Sequence, residues 1–212
     1  MIFHGTRPPT APGLTGSAAA SRDAGGGSRI YKSGMNAEAW TLASADVARA
    51  KAGDLEALEE LYRAYESAVY NLGRRICGSE EDAEEVLQDT FLEVCRSIRK
   101  YRGEGSLWGW IRQVAVSKAL MLLRRERLRR AAPLDEIALP RSLATPAREP
   151  AGPIDLESAL RRLAPTARAV LWLHDVEGYT HEEIGEMMEK TASFSKSQLS
   201  RAHRRLREWL EA

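Results

Sequence analysis

The chain has 212 residues, with 31 Lys and Arg against 30 Asp and Glu and a formal net charge of +1, a length that admits one medium domain or two small ones, of which two fits better. The near balance of charge says little about partners, because acids and bases cluster in different segments. No apolar run approaches the roughly 20 residues needed to span a bilayer, which reads as a soluble protein, and Cys77 and Cys95 lack the paired spacing of a zinc site.

Residues 1–35 are rich in Gly, Pro, Ser and Ala, with Pro8-Pro9 and Gly25-Gly26-Gly27-Ser28, and show no apolar period. They read as a disordered tail without the basic start and apolar core of a secretory signal. Met35 opens the first patterned sequence, and translation from there instead of Met1 stays open. Asn36 can cap a short helix carrying Trp40. Gly53-Asp54 then punctuates the start of a long helix with the stripe Leu58, Leu61, Tyr62, Tyr65, Val69, Leu72 and Ile76.

Gly78 can end that helix, and Ser79 with Asp82 three residues on has the spacing of a capping box. The next helix carries Ala83, Val86, Leu87, Phe91, Val94, Cys95 and Ile98 at three- and four-residue steps, so one face must be buried. Both cysteines occupy apolar positions and read as small buried hydrophobes. Glu80, Glu81, Asp82, Glu84, Glu85, Asp89 and Glu93 crowd the other face, with no base until Arg96. A solvated face with acids near the positive end of the helix dipole accounts for this; so does a basic partner that relieves self-repulsion. Only Gly78-Ser79 separates the two helices, which should pair as an antiparallel hairpin.

Tyr101-Arg102-Gly103-Glu104-Gly105-Ser106-Leu107-Trp108-Gly109-Trp110 breaks the helical period with three aromatics around three glycines. No strand precedes it and no third glycine stands at the dinucleotide spacing, so a phosphate loop is a poor fit. Stacking on unpaired bases, at roughly 1 to 3 kcal/mol each, fits better; the alternative is that Trp108 and Trp110 close a core. Ser106 can cap a helix with the apolar face Ile111, Val114, Ala115, Ala119, Leu122 and Leu123. Arg112, Lys118, Arg124, Arg125, Arg127, Arg129 and Arg130 gather on its other side, a nucleic-acid footprint.

Residues 131–153 contain Pro133, Pro140, Pro146, Pro150 and Pro153, a density that forbids a continuous helix and suggests an extended linker. From Ile154 the helical pattern resumes with Leu156, Leu160 and Leu163, then Pro165 as a helix-start residue before Val170, Leu171 and Leu173, with Gly178 as the stop. Thr180-His181-Glu182-Glu183 is a second capping box, opening a short helix with Ile184, Met187 and Met188. After a turn through Glu189 to Ser193, the last helix has Leu199, Ala202, Leu206, Trp209 and Leu210 on one face, with Lys196, Ser197, Ser200, Arg201 and Arg204 on the other. This is the pattern of a helix-turn-helix, whose second helix enters the major groove.

The residues offer no catalytic constellation. His181-Glu182-Glu183-Ile184-Gly185 lacks the second His of a zinc protease, no serine sits in a nucleophile elbow, and no P-loop occurs. No enzyme, cofactor, metal site or small-molecule substrate is expected. A helix-turn-helix regulator that binds DNA alone, with its first half for dimerisation or sensing, explains residues 154–212 but not the succession of acidic helix, aromatic turn and Arg-rich helix.

That succession carries a resemblance. Asp82-Ala83-Glu84-Glu85-Val86-Leu87-Gln88-Asp89-Thr90-Phe91, then Tyr101-Arg102-Gly103 and Trp110-Ile111 leading into Arg124-Arg125, resembles region two of the extracytoplasmic-function sigma factors, small bacterial initiation subunits of RNA polymerase. Glu183 to Met188 and Lys196 to Leu206 resemble the helix-turn-helix of region four. The resemblance implies an all-α protein of two small helical domains: residues 36–130 like region two, a Pro-rich linker at 131–153, and residues 154–212 like region four. The family would place Asp82, Glu84, Glu85, Leu87, Gln88, Asp89 and Phe91 on the clamp helices of the largest polymerase subunit. Tyr101, Arg102, Gly103, Trp108, Trp110, Arg112, Ser117, Lys118, Arg124 and Arg125 would serve the minus-ten element and strand opening. Phe194, Lys196, Ser197, Ser200, Arg201, His203 and Arg204 would serve the minus-thirty-five element. Core polymerase, including its flap region, promoter DNA and an anti-sigma factor are the implied partners, in the cytoplasm and without a membrane. The sequence departs from the family at Glu189 in place of a turn glycine, at Lys190 and Ser193-Phe194 beside it, and at Ser117 and Met121 on the basic helix. A diverged member that keeps polymerase contact without promoter selectivity is therefore a third reading.

Overall fold

The computed structural model describes residues 44–103, 105–131 and 155–211. The tail at 1–35, the helix expected around Trp40 and the linker beyond Ala131 lie outside the described residues. Eight α-helices and no strand occur among the described residues, as the all-α expectation requires.

Helix α1 (Ser44–Ala52) turns through Gly53, at φ +91°, into α2 (Leu55–Cys77). Asp54 caps α2 by accepting from the Glu56 and Ala57 N–H groups, and the Arg49 guanidinium donates to the same carboxylate at 2.8 Å. Beside that guanidinium the Asp54 carboxyl is held below its usual range. Most of the α2 stripe is buried: Leu61, Tyr65, Val69, Leu72 and Ile76 lie in the core, while Leu58 is half buried and Tyr62, also assigned to the stripe, is exposed. Gly78, at φ +89°, ends α2, and the Ser79 hydroxyl accepts from the Asp82 N–H to start α3 (Glu80–Ser97). The hairpin closes tightly at Gly73, where an added Cβ would meet Val86 at 3.1 Å.

A 3₁₀ turn (Ile98–Lys100) and left-handed Gly103 and Gly105 lead into α4 (Leu107–Ala131), which Ser106 caps through the Gly109 N–H. In the second half, α5 (Leu156–Arg162) is capped by Asp155, and α6 (Pro165–Leu171) starts on its proline and runs into a π turn at Trp172–Val176. Helix α7 (His181–Met187) has the full reciprocal capping box of Thr180 and Glu183, and α8 (Ala192–Leu210) is capped by Thr191.

Several expectations need correction. Cys77 is buried, and burial pushes its thiol up to about 12, but Cys95 is exposed. It lies on the same flank of α3 as Leu92, which is also exposed among the described residues. The last helix begins at Ala192, so Ser193 lies inside it and not in the turn, because the Thr191 hydroxyl caps the helix by accepting from the Phe194 N–H. Leu156 and Leu210, assigned to buried faces, are exposed. On α4 the core face is Ile111, Ala115, Val116, Ala119, Leu120 and Leu122, with Val114 only half buried.

The reason for that last difference lies in how the two halves meet: α6 packs against α2 and α4, and one hydrophobic cluster runs through both halves. Helix α4 is therefore covered from two sides, which blurs the single stripe a helix covered on one side would show.

Candidate nucleic-acid and protein interfaces

On α3 the acids and apolar residues sort into two faces. Val86, Phe91 and Val94 are buried, while Glu84, Gln88 and Asp89 are exposed and Asp82, Glu85 and Leu87 half buried. Several of the acids are matched within the fold: Arg125 donates to Glu85, Arg74 lies 2.7 Å from Glu80, and Lys118 sits 3.3 Å from Glu93. The relief of acidic crowding assigned to a partner is thus partly internal. What remains open is a groove of about 440 Å³ lined by Tyr62, Glu84, Leu87, Gln88, Phe91, Leu92 and Cys95. Leu92 is 47% exposed, and the Tyr62 ring meets Phe91 edge-on at 4.7 Å. Sequence reasoning missed Tyr62, Leu92 and Cys95 as groove residues. Leu92 follows Phe91 directly and so falls off the stripe, and an apolar residue off the stripe was the available signal.

The Gly-rich turn forms a second concavity, of about 320 Å³, lined by Lys100, Tyr101, Arg102, Gly105, Ser106, Gly109, Trp110 and Gln113. Tyr101 and Trp110 lie 5.5 Å apart at 37°, the Tyr101 hydroxyl donates to the Gly105 carbonyl, and the Lys51 ammonium lies 5.3 Å from the Tyr101 ring. These contacts hold two aromatic faces beside exposed Arg102. Trp108 does not join them: it stacks on Tyr65 at 5.8 Å and 10°, turned toward the core. Gly103 sits in the exposed loop with a left-handed backbone.

Of the basic residues assigned to DNA on α4, four already have acidic side chains against them: Lys118, Arg124 and Arg125 meet the carboxylates of Glu93, Glu189 and Glu85, and Arg112 lies against the buried Glu177 carboxyl, whose ionisation burial opposes. Ser117 and Met121 are exposed on the same helix.

In the helix-turn-helix, α7 and α8 meet through Gly185, where an added Cβ would come within 2.9 Å of the Lys190 carbonyl. Glu189 takes the left-handed turn conformation, at φ +54°, which a glycine would adopt freely. Lys196, Ser197, Ser200, Arg201, His203 and Arg204 are exposed on α8, while Ser195, which no sequence signal marked, is buried and within 3.0 Å of His181 Nδ1. Phe194 is half buried, lining a cavity with Leu120, Leu123 and Met188 between the halves. Asp175 ties the motif together: His203 Nε2 is 2.6 Å from one of its oxygens and His174 Nδ1 2.8 Å from the other, and His174 stacks on His181 at 4.4 Å. Burial works against ionisation of Asp175, yet the two imidazoles hold its carboxyl below the usual range. Burial and the neighbouring His174 lower His181.

Among the described residues no group of three His, Cys, Asp or Glu side chains is placed to hold a metal, and no helix is long and apolar enough to cross a membrane.

The family model described as Sigma-70 region 2 matches residues 61–129, and that described as Sigma-70, region 4 matches residues 154–206. The ECF RNA polymerase sigma factor SigE of Mycolicibacterium smegmatis is 34% identical over 157 residues, which cover 72% of this chain and 61% of that protein. The ECF RNA polymerase sigma factor SigM of Mycobacterium tuberculosis is 30% identical over 155 residues, 73% of this chain and 78% of that protein. The RNA polymerase sigma factor CarQ of Myxococcus xanthus is 31% identical over 163 residues, 76% of this chain and 94% of that protein.

Proposed function

The chain belongs to the extracytoplasmic-function sigma factors, and from that membership we propose that it binds core RNA polymerase and directs promoter-specific initiation in the cytoplasm. Residues 36–130 act as region two and residues 154–212 as region four. The observation that carries this reading is the groove on α3. A stand-alone regulator has a use for α7 and α8, but none for an apolar groove rimmed by Glu84 and Gln88 on a half that also holds an aromatic cleft.

Each surface has one task. The α3 groove takes the clamp helices of the largest subunit: Leu87, Phe91 and Leu92 supply apolar contact, and Asp82, Glu84, Glu85 and Asp89 face its basic residues. Helix α8 enters the major groove of the minus-thirty-five element. Lys196 and Arg204 meet phosphates, while Ser197, Ser200, Arg201 and His203 face the duplex. Phosphate contacts dominate affinity, with a salt slope of about −0.9 per neutralised phosphate, and a bidentate Arg201 contact adds roughly 1 to 3 kcal/mol of discrimination.

Strand opening occurs at the cleft of Tyr101 to Gln113. Unpairing a minus-ten base costs a few kcal/mol, and stacking on Tyr101 or Trp110, at roughly 1 to 3 kcal/mol, offsets much of it. Arg102 holds the adjoining phosphate. The chain supplies binding and base capture, and nucleotide addition belongs to the polymerase. An anti-sigma protein holds it inactive by covering these surfaces.

The test is gel filtration of the purified chain with bacterial core RNA polymerase, followed by run-off transcription from DNA upstream of its own gene. Co-elution with a specific transcript is the expected result. Salt-sensitive duplex binding without co-elution would replace the reading with the stand-alone regulator.

A further inference from the structure

Asp175 belongs to neither helix of the helix-turn-helix. It stands in the π turn at Trp172–Val176 that follows α6, and its two carboxylate oxygens are divided. Oδ1 lies 2.8 Å from His174 Nδ1, and Oδ2 lies 2.6 Å from His203 Nε2 on α8. Behind the carboxylate the network runs inward. His174 stacks on His181 of α7 at 4.4 Å and 18°, and His181 Nδ1 is 3.0 Å from the hydroxyl of Ser195, a wholly buried residue of α8. The turn is fixed in its own backbone as well: the Glu177 N–H donates to the Trp172 carbonyl and the Tyr179 N–H to the Leu173 carbonyl, both at 3.0 Å. Asp175 is therefore held from its own turn before it meets His203.

His203 is exposed, and it sits at the edge of the face assigned to DNA. A period of 3.6 residues places it in line with Lys196, two turns earlier, on one flank of that face, with Arg201 on the other. Base edges are read by the N-terminal part of a recognition helix, whereas His203 lies well along α8, which starts at Ala192. At that place a flanking side chain meets the wall of the groove, where the phosphates run. A freely turning imidazole can offer either ring nitrogen there. The contact with Asp175 removes that choice, because it engages Nε2 and leaves Nδ1 for the duplex.

We propose that Asp175 is a positioning residue for minus-thirty-five binding, holding His203 Nε2 so that Nδ1–H meets a phosphate of the duplex. The proposal rests on the reading of α8 as the duplex-reading helix and is independent of polymerase contact. In the complex the ring carries a proton on each nitrogen, since the carboxylate and the phosphate are both acceptors and a singly protonated ring has one donor. Both hydrogen bonds are then charge-assisted. Asp175 itself touches no DNA. The sign of its effect separates this role from bare electrostatics: an acid beside a DNA-facing helix repels phosphate, so removing a carboxylate with no other task would tighten binding. Removing a positioning carboxylate weakens it.

Anisotropy titrations of the full chain with a duplex from upstream of its own gene, at fixed salt, read that sign, with Arg201→Ala as the control for duplex reading by α8. Asp175→Ala should weaken binding roughly tenfold, the loss of one hydrogen bond to a charged group, at an unchanged melting temperature. Asp175→Ala combined with His203→Ala should bind no more weakly than His203→Ala alone. Nitrogen NMR of the unaltered chain, labelled at its four histidines, should show both His203 ring nitrogens protonated on the duplex; this readout needs no variant of Asp175 and stands even if Asp175→Ala unfolds. Equal or tighter binding by Asp175→Ala, additive losses in the double variant, or a singly protonated His203 ring in the complex would overturn the proposal. Failure of the underlying reading shows differently, as an Arg201→Ala chain that binds the duplex like the unaltered one; it removes the premise and overturns the proposal with it.

Discussion

Glu177 shows how one residue links packing to function. Its side chain is fully enclosed, accepts from the Trp172 indole N–H at 2.9 Å, and lies 3.4 Å from the Arg112 guanidinium. Burial pushes its carboxyl from 4.5 up to about 8. A folded-state value above the unfolded one means that the fold favours the protonated form. The stability it confers is full below pH 4.5 and is lost as pH rises through about 8. Melting temperature is therefore predicted to fall between pH 6 and 8.5, and Glu177→Gln to flatten that slope; an unchanged slope in the variant would assign the pH dependence elsewhere. Leu92 supports a second prediction. Leu92→Asp puts a charge in the apolar floor of the α3 groove, and core polymerase binding, followed by fluorescence anisotropy, should weaken at least tenfold while the melting temperature holds. The position of Leu92 was not legible as a site, because its exposure depends on which flank of α3 the neighbouring helices leave open.

Helices were the most legible scale, since their ends are set by local chemistry. Asp54, Ser79, Ser106 and Thr180 cap as their spacing implies, and Gly53, Gly78 and Gly178 take left-handed conformations. The exception was the start of α8, where Thr191 and not a later residue is the cap. Thr191→Ala is predicted to cost about 1 kcal/mol, lowering the melting temperature by a few degrees and weakening duplex binding by loosening the first turn of α8. A loss of binding without loss of stability would instead make Thr191 a DNA contact. Glu189→Gly, in turn, should stabilise by roughly 0.5 to 1 kcal/mol in chemical denaturation by relieving the φ of +54°. The exposed pair with Arg124 that it removes contributes less than about 1 kcal/mol.

Across the whole molecule, the order of surfaces matters more than any single one. The proposed polymerase groove, melting cleft and duplex-reading helix follow each other along the chain, and two of the cations assigned to minus-ten DNA, Arg112 and Arg124, face Glu177 and Glu189 of the second half. Affinity for a duplex bearing only the minus-thirty-five element should therefore rise when core polymerase is present. Anisotropy titrations with and without core, at fixed salt, measure that ratio, and a ratio of one would mean that α8 is equally available in both states.

Sequence alone determined the helical class, the helix ends, the acidic and basic clustering and the membership of most site residues in their helices. Those properties depend on backbone hydrogen bonding, on turn conformations and on a period of 3.6, all of which act over a few residues. Tertiary structure decided that Trp108 faces Tyr65 while Trp110 lines the cleft, that Cys95 and Leu92 open onto a groove, and that the two halves close on each other. The closure was illegible for a physical reason. Arg168 is held by the carbonyls of Ile76 and Cys77, and a main-chain carbonyl is present at every residue, so no side-chain pattern could announce where that guanidinium would dock.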